Sequence, residues 1–298
     1  MALTLPLAGR SVLLKVHMAR LSDRHPPNSL AALAECLAAG ATWVEIDLSC
    51  LADGRFAVLH GPYLDQETTG TGLIRATTTA DLRRCYLRHH GEPTAERPAL
   101  LEEVLDLVRA ADLALHLDLK DQEPLPDEAV EYLVDQLVPL RDRLIVGSTS
   151  LANLWALHTR RPDLPLGFDP LLHLDYRPLS APTPRAGPHG YVDTQPPAAG
   201  TPLARHLRER LGELVQAAPF ARAWFVRGSL LLRLLADGVD AVAELRRHGV
   251  ERVEAWTIDY LPGDPGPCAQ VRALVALGVS AIITNTARAW LDWAQAGD

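Results

Sequence analysis

Trp43-Val44-Glu45-Ile46-Asp47-Leu48-Ser49-Cys50 runs into Leu51-Ala52-Asp53-Gly54-Arg55-Phe56-Ala57-Val58-Leu59-His60, an apolar segment broken once by Asp-Gly. Glu45 and Asp47 are two apart, so a strand points both carboxylates to one face. Asp53-Gly54 is a strong short hairpin signal. With those two residues as the turn, Ala52 pairs with Arg55 and Asp47 lies opposite His60. Most strand carboxylates are simply solvated. Two acids and an imidazole on one face of one hairpin make a functional cluster the better reading.

Working outward, Ser11–Val16 reads as a first strand that delivers His17 at its C-terminal end. His25-Pro26-Pro27-Asn28 then stops the chain, and Asn28 or Ser29 can cap a helix from Leu30 to Ala39, closed by Gly40. Trp43–Leu48 is the second strand. Residues 61–98 have weak periodicity, with Thr68-Thr69-Gly70-Thr71-Gly72 and a short helix from about Thr79, and read as a small insertion after the hairpin. An acidic amphipathic helix, Ala99–Ala110, leads to the alternating strand Leu113–Lys120, which carries His116, Asp118 and Lys120 on one face. The pattern continues with helix Asp127–Arg141, strand Leu144–Ser148, helix Leu151–Arg161 and strand Leu166–Asp169. A Pro/Gly-rich stretch, about 170–202, is too long for an ordinary connection and reads as a lid or mobile loop. Helix 203–217, strand Ala223–Arg227, helix 230–247, strand Val253–Ile258, helix 268–277, strand Ala281–Thr284 and a closing helix follow. Without the hairpin's return arm there are eight strands, each followed by helix. That pattern predicts one α/β domain over residues 1–298, a (β/α)8 TIM barrel.

Composition agrees with that size. The chain has 298 residues, of which 48% are hydrophobic, so a large core is available. A formal charge of −8 argues against nucleic acid or an anionic membrane surface as the main partner. It leaves room for an anionic small-molecule substrate, because a bound divalent ion reverses the local sign. Cys36, Cys50, Cys85 and Cys268 show no paired or zinc-type spacing. Reduced thiols, no secretory h-region and no bilayer-spanning run predict a cytoplasmic protein without integral membrane association. Oligomeric state is not legible.

In such a barrel the C-terminal ends of the strands share one mouth, and active sites sit there. His17 ends the first strand, Glu45 and Asp47 the second, Asp118 and Lys120 the third, Trp256 the seventh and Asn285 the eighth, and His60 arrives through the hairpin. Taken singly each has a duller account: a strand-end histidine is more often a hydrogen-bonded core group, Trp256 can be core filling, and Lys120 can snorkel to solvent. His116, two residues below the mouth, reads as a satisfied interior histidine, and His89, His90 and His158 are assigned nothing. Convergence on adjacent strands favours function.

Glu45, Asp47 and Asp118, with no thiolate, make a hard oxygen site suited to Mg²⁺ or Ca²⁺. His17, His60 and His116 keep zinc open. A metal beside Lys120 can hold phosphate oxygens and neutralise developing charge. Two histidines on opposite sides of the phosphorus can then share acid and base work. The chemistry implied is cleavage of a phosphodiester.

These residues resemble the glycerophosphodiester phosphodiesterase family, within the phospholipase C-like phosphodiesterase superfamily. His17-Met18-Ala19, Pro26-Pro27-Asn28-Ser29 and Gly40-Ala41-Thr42-Trp43-Val44-Glu45-Ile46-Asp47 match its motifs in order. So do Asp53-Gly54, His60-Gly61, Thr68 to Gly72, Asp118-Leu119-Lys120, Trp256-Thr257 and Thr284-Asn285. The resemblance implies Glu45, Asp47 and Asp118 as metal ligands, His17 and His60 as the acid–base pair and Lys120 as a phosphate ligand, with Trp256 and Asn285 at the substrate. Met18 stands where the family has a phosphate-contacting arginine, Gly61 where it has Asp, Asp118 where it has Glu and Asn285 where it has Asp. Those four departures look like the related venom-type sphingomyelinase D and phospholipase D group. The Thr-Thr-Gly-Thr-Gly insertion and the Asn-Ser helix start are of the first family's kind. Arg20, Arg24 or Arg75 could supply the missing charge from a loop.

The expectation is a metal-dependent phosphodiesterase acting on glycerophosphodiesters or lysophospholipids and releasing a phosphomonoester and an alcohol. The alternatives are a sphingomyelinase D or lysophospholipase D-like enzyme forming cyclic phosphate, and a catalytically degenerate barrel that binds phospho-ligands.

Overall fold

Eight parallel strands, most of their residues buried, alternate with helices in the computed structural model, which describes residues 3–7, 10–111, 113–175 and 200–296. The strands are β1 (Arg10–Val16), β2 (Trp43–Cys50), β3 (Ala114–Leu119), β4 (Leu144–Ser148), β5 (Leu166–Phe168), β6 (Ala221–Arg227), β7 (Arg252–Trp256) and β8 (Ala281–Thr284). Sequential strands pair in parallel, and β8 returns to β1 in the register Ala281↔Leu13 to Thr284↔Val16, which closes the sheet. The expected (β/α)8 barrel is the fold. Thr4–Leu7 adds an antiparallel strand outside the barrel, pairing with the start of β1 and burying Leu5 and Leu7.

The helices start where local chemistry places them. Ser29, not Asn28, caps the helix Leu30–Ala38 by accepting from Ala32 N–H at 3.1 Å. The single helix expected over 230–247 is two, Gly228–Ala236 and Ala241–Arg247. Gly238 takes φ +86° between them, and Asp240 caps the second by accepting from Ala243 N–H at 2.9 Å. Among the described residues no helix is long and apolar enough to cross a membrane.

The hairpin after β2 corrects the sequence reading. Its register is Ser49↔Ala57 and Cys50↔Phe56, which would set Leu59, not His60, opposite Asp47. Leu51 N–H donates to Arg55 O at 2.8 Å around a turn of three residues rather than two. That turn is fastened to the insertion: Ala52 N–H donates to Thr77 O at 2.9 Å, and Asp53 accepts from Thr79 N–H at 2.8 Å. The return arm then leaves β2, and Val58 N–H donates to Ala99 O at 2.9 Å. His60 is therefore released from the strand alternation and still reaches the mouth. Residues 61–98 wrap a small separate core of Leu59, Leu64, Ile74, Leu82 and Leu87. In the Pro/Gly-rich stretch, Leu171–Asp175 forms one wide helical turn, and the lid expected there lies mostly outside the described residues.

Inside the barrel, Lys15 is fully buried and ion-paired with Glu254, which also pairs with Arg252. Burial lowers the Lys15 pKa, against the Glu254 carboxylate that raises it. His116 differs from expectation. Its ring stacks on Phe225 with centroids 3.8 Å apart, and among the described residues neither nitrogen finds a hydrogen-bond partner. Burial pushes its pKa well down, so it is a neutral packing group. Cys36, Cys50, Cys85 and Cys268 are buried thiols outside any disulfide.

Candidate active site

The ends of β2 and β3 lie side by side, with Asp47 in register with Asp118. Pleating turns Glu45 to the same face as Asp47, and the three carboxylates offer oxygens within 4.8 Å of one another. Glu45 and Asp118 line a cavity of about 240 Å³ at the C-terminal mouth, whose walls include His17, His60, Lys120 and Trp256, while Asp47 is fully buried beside them. The structure thus brings together every residue expected at the site except Asn285, which stands just behind His17.

Charge in the mouth is strongly coupled. Burial, then the Asp47 and Asp118 carboxylates, push the Glu45 pKa well up. Burial also works against ionised Asp47, but Lys120, His60, His17 and Asn28 outweigh it and hold its carboxyl at about 2. The Lys120 ammonium lies 2.7 Å from Asp118 Oδ2 and 3.0 Å from Asp47 Oδ1, the latter without hydrogen-bond alignment. Burial lowers the Lys120 pKa, yet Asp118, Asp47 and Glu45 together raise it well above the usual range. Lys120 is a fixed cation.

A ring of backbone and amide groups holds the acids. Met18 and Ala19 have φ of +51° and +53°, and this turn aims Met18 N–H at Glu45 Oε2, 2.7 Å away. Asn28, also left-handed at φ +60°, donates from Nδ2 to Asp47 Oδ2 at 2.7 Å and accepts from Asp47 N–H at 3.2 Å. Among the described residues none donates a hydrogen bond to Glu45 Oε1. A buried carboxylate oxygen left bare beside two more carboxylates fits a hard divalent cation.

The two histidines are fixed differently. Asn285 donates from Nδ2 to Asp259 Oδ2 at 2.9 Å and from its backbone N–H to Asp259 Oδ1 at 2.7 Å. An ionised carboxylate only accepts, so the amide is oriented with Oδ1 toward His17 Nδ1, at 2.7 Å. In the neutral ring His17 then donates from Nδ1 and carries its lone pair on Nε2, which lies 3.6 Å from Glu45 Oε2. His60 is placed by Glu67, whose Oε1 accepts from His60 N–H and Gly61 N–H, both at 2.8 Å. Desolvation lowers the His60 pKa, against Asp47, which raises it.

None of the three arginines considered as replacements lines this cavity. Arg20 pairs with Asp23 at 2.9 Å, Arg75 pairs with Glu123, and Arg24 is exposed. Sequence reasoning missed four other residues. Asp169 directly follows β5 in the cavity wall, where burial and the Asp118 carboxylate push its pKa well up. Arg227 ends β6, its guanidinium 5.2 Å over the Trp256 ring. Both were visible as polar residues at strand ends. Asn28 was taken for a cap, and Asp259 carried no signal beyond following a strand.

Carboxylates, a lysine and two oriented imidazoles on the C-terminal rim of a closed (β/α)8 barrel define a class of barrel with an oxygen-rich metal-type centre and acid–base groups beside it. Residues 21–289 match the glycerophosphoryl diester phosphodiesterase family, and the chain belongs to that family. A glycerophosphodiester phosphodiesterase of Bacillus altitudinis is 30% identical over 148 residues, 48% of this chain and 60% of that protein. One from Caldanaerobacter subterraneus is 24% identical over 151 residues, 49% of this chain and 62% of that protein. Each match thus spans less than two thirds of the relative. A solved structure from Silicibacter pomeroyi, a putative glycerophosphoryl diester phosphodiesterase, shares the fold with a TM-score of 0.67 at 21% identity, over 94% of this chain and 93% of that one. An Oleispira antarctica phosphodiesterase, solved with the product sn-glycerol-3-phosphate, has a TM-score of 0.65 at 21% identity and 98% coverage of both chains.

Proposed function

We propose that the chain is a divalent-metal-dependent phosphodiesterase that hydrolyses glycerophosphodiesters, and by extension lysophospholipids, to a phosphomonoester and an alcohol. The observation that carries this is the placement of His17 and His60 in one cavity with Glu45, Asp118 and Lys120. Family membership and the product named for the Oleispira relative support the substrate class.

Glu45, Asp47 and Asp118 would hold Mg²⁺ or Ca²⁺. When bound, such an ion supplies positive charge for the phosphate oxygens and lowers the barrier to forming a nucleophile. Lys120, held as a cation, neutralises charge that accumulates on the phosphoryl group. His17 is the base, because its Nε2 carries the lone pair and Asn285 fixes its Nδ1 proton. The proton it takes comes from the attacking water. His60, when protonated, gives its proton to the departing alcohol oxygen. Trp256 offers an apolar wall for the carbon skeleton of the substrate. Asn285 is a positioning residue for His17 and not a substrate contact.

The test is choline release from glycerophosphocholine with Mg²⁺ or Ca²⁺, followed beside EDTA and His17→Ala controls. Turnover is expected to need the metal and to fall about 10²–10⁴-fold in His17→Ala. Phosphorus NMR should show a linear monoester, whereas a cyclic phosphate would move the assignment to the transferase-type reaction. Binding of metal and ligand without turnover would leave a binding barrel.

A further inference from the structure

We propose that Asp23, His89 and His90 form a second metal site, suited to a transition ion such as Zn²⁺ and distinct from the carboxylate centre. Asp23 lies on the loop between β1 and the first barrel helix, and the two histidines lie on the hairpin of the insertion formed by Arg88–His89 and Glu92–Pro93. Neighbouring residues of a strand point to opposite faces. His90 escapes that rule through φ +51°, which sets its ring beside that of His89, with centroids 4.0 Å apart. Both rings turn to Asp23: His90 Nε2 is 3.0 Å from Asp23 Oδ2, and His89 Nε2 is 3.0 Å from the Asp23 carbonyl oxygen. One nitrogen of each histidine and one carboxylate oxygen lie within 4.8 Å of one another. A tetrahedral zinc ion, with bonds of about 2.0–2.1 Å, draws such atoms to about 3.3 Å apart, a small closure for exposed side chains.

The donor set decides the ion. Two imidazoles and one carboxylate favour Zn²⁺, Cu²⁺ or Ni²⁺, whereas the all-oxygen cluster of Glu45, Asp47 and Asp118 favours Mg²⁺ or Ca²⁺. Arg20 Nη2 occupies Asp23 Oδ1 at 2.9 Å, which leaves Oδ2 turned to the histidines and supplies an outer contact that orients the ligand. Three protein ligands leave a further position for water or a solute. The site borders a cavity of about 570 Å³ that also reaches Met18 and His60. A metal there would fasten the insertion to the loop after β1, two segments already joined by His25 and Glu96 at 3.6 Å. It would thereby stiffen the wall beside one of the two histidines of the mouth.

The experiment is calorimetric titration of Zn²⁺ into the whole protein with excess Mg²⁺ present to occupy the carboxylate centre, repeated on His89→Ala/His90→Ala and on Asp23→Asn. Wild type should bind one equivalent that Mg²⁺ does not displace. The double variant should lose it by more than the about 10–100-fold that an outer contact is worth, and Asp23→Asn should weaken it. Cu²⁺ in place of Zn²⁺ should give an electron paramagnetic resonance spectrum with nitrogen coupling that vanishes in the double variant. Circular dichroism reports whether each variant is folded. Absence of Mg²⁺-resistant Zn²⁺ binding in wild type, or unchanged affinity in the folded variants, would overturn the assignment.

Discussion

Asn28 shows how much of the mouth depends on side chains outside the cavity lining. It is buried, and both ends of its amide are committed to Asp47. Removing it strips a donor from a buried carboxylate, at a cost of about 1–3 kcal/mol. Asn28→Ala should raise the metal concentration for half-maximal turnover about 10–100-fold while leaving much of the rate at saturating metal. Metal titration of the activity checks this, and an unchanged midpoint would remove Asn28 from the site's support. Asn285 belongs to the same group of positioning residues. The sequence put it at the rim as a substrate contact, and only its bonds to His17 and Asp259 reveal what it holds.

At the level of elements, β4 and β5 shape the barrel interior by what they lack. Gly147 and Gly167 are in register on neighbouring strands. A Cβ on Gly147 would come within 2.4 Å of His116 Nε2, and one on Gly167 within 2.4 Å of Phe225 Cε2. The stacked His116–Phe225 pair therefore fills space these glycines leave, directly below the acidic mouth. Gly167→Ala should overpack this layer and lower unfolding stability by about 1–3 kcal/mol, measured by urea denaturation. No change in the midpoint would show that the rings relax freely. The hairpin after β2 is the opposite case. Asp53-Gly54 announced it, but its turn length is set by contacts with Thr77 and Thr79. Local turn chemistry proposes a register, and tertiary hydrogen bonds select the one adopted.

Across the whole molecule, proton binding at the mouth is linked to stability and to cation binding. Glu45 has a raised pKa, so the metal-free fold holds that proton more tightly than the unfolded chain does. Its contribution to stability is full below the ordinary glutamate range and is lost as pH rises through the raised value. Asp47, held at about 2, has the opposite sign, stabilising above its ordinary range and failing only in strong acid. A cation bound by Glu45 prefers the ionised form. Mg²⁺ or Ca²⁺ at about 100 times its dissociation constant should add about 2.7 kcal/mol and raise the melting temperature by several degrees. That rise should be larger at pH 8 than at pH 5, because protons compete for Glu45 at the lower value. Thermal scans at the two pH values decide it, and an equal shift would show that Glu45 does not bind the ion.

What the sequence by itself determined was the periodic and strand-end information. Alternating apolar runs, caps and turns specify eight strand–helix units, and strand parity puts Glu45 with Asp47 and Asp118 with Lys120 on one rim. Those properties are local, because a strand's two-residue repeat and its C-terminal end are fixed before it meets a neighbour. The tertiary structure decided everything that depends on distance between segments. It placed Asn28 on Asp47, Asp259 behind Asn285, Asp169 in the cavity wall, and Asp23 against His89 and His90. It also left His116 without a hydrogen-bond partner among the described residues. Such contacts join residues far apart in the chain, and no local propensity encodes them. They form only when the closed barrel and its insertion bring the groups within hydrogen-bonding range.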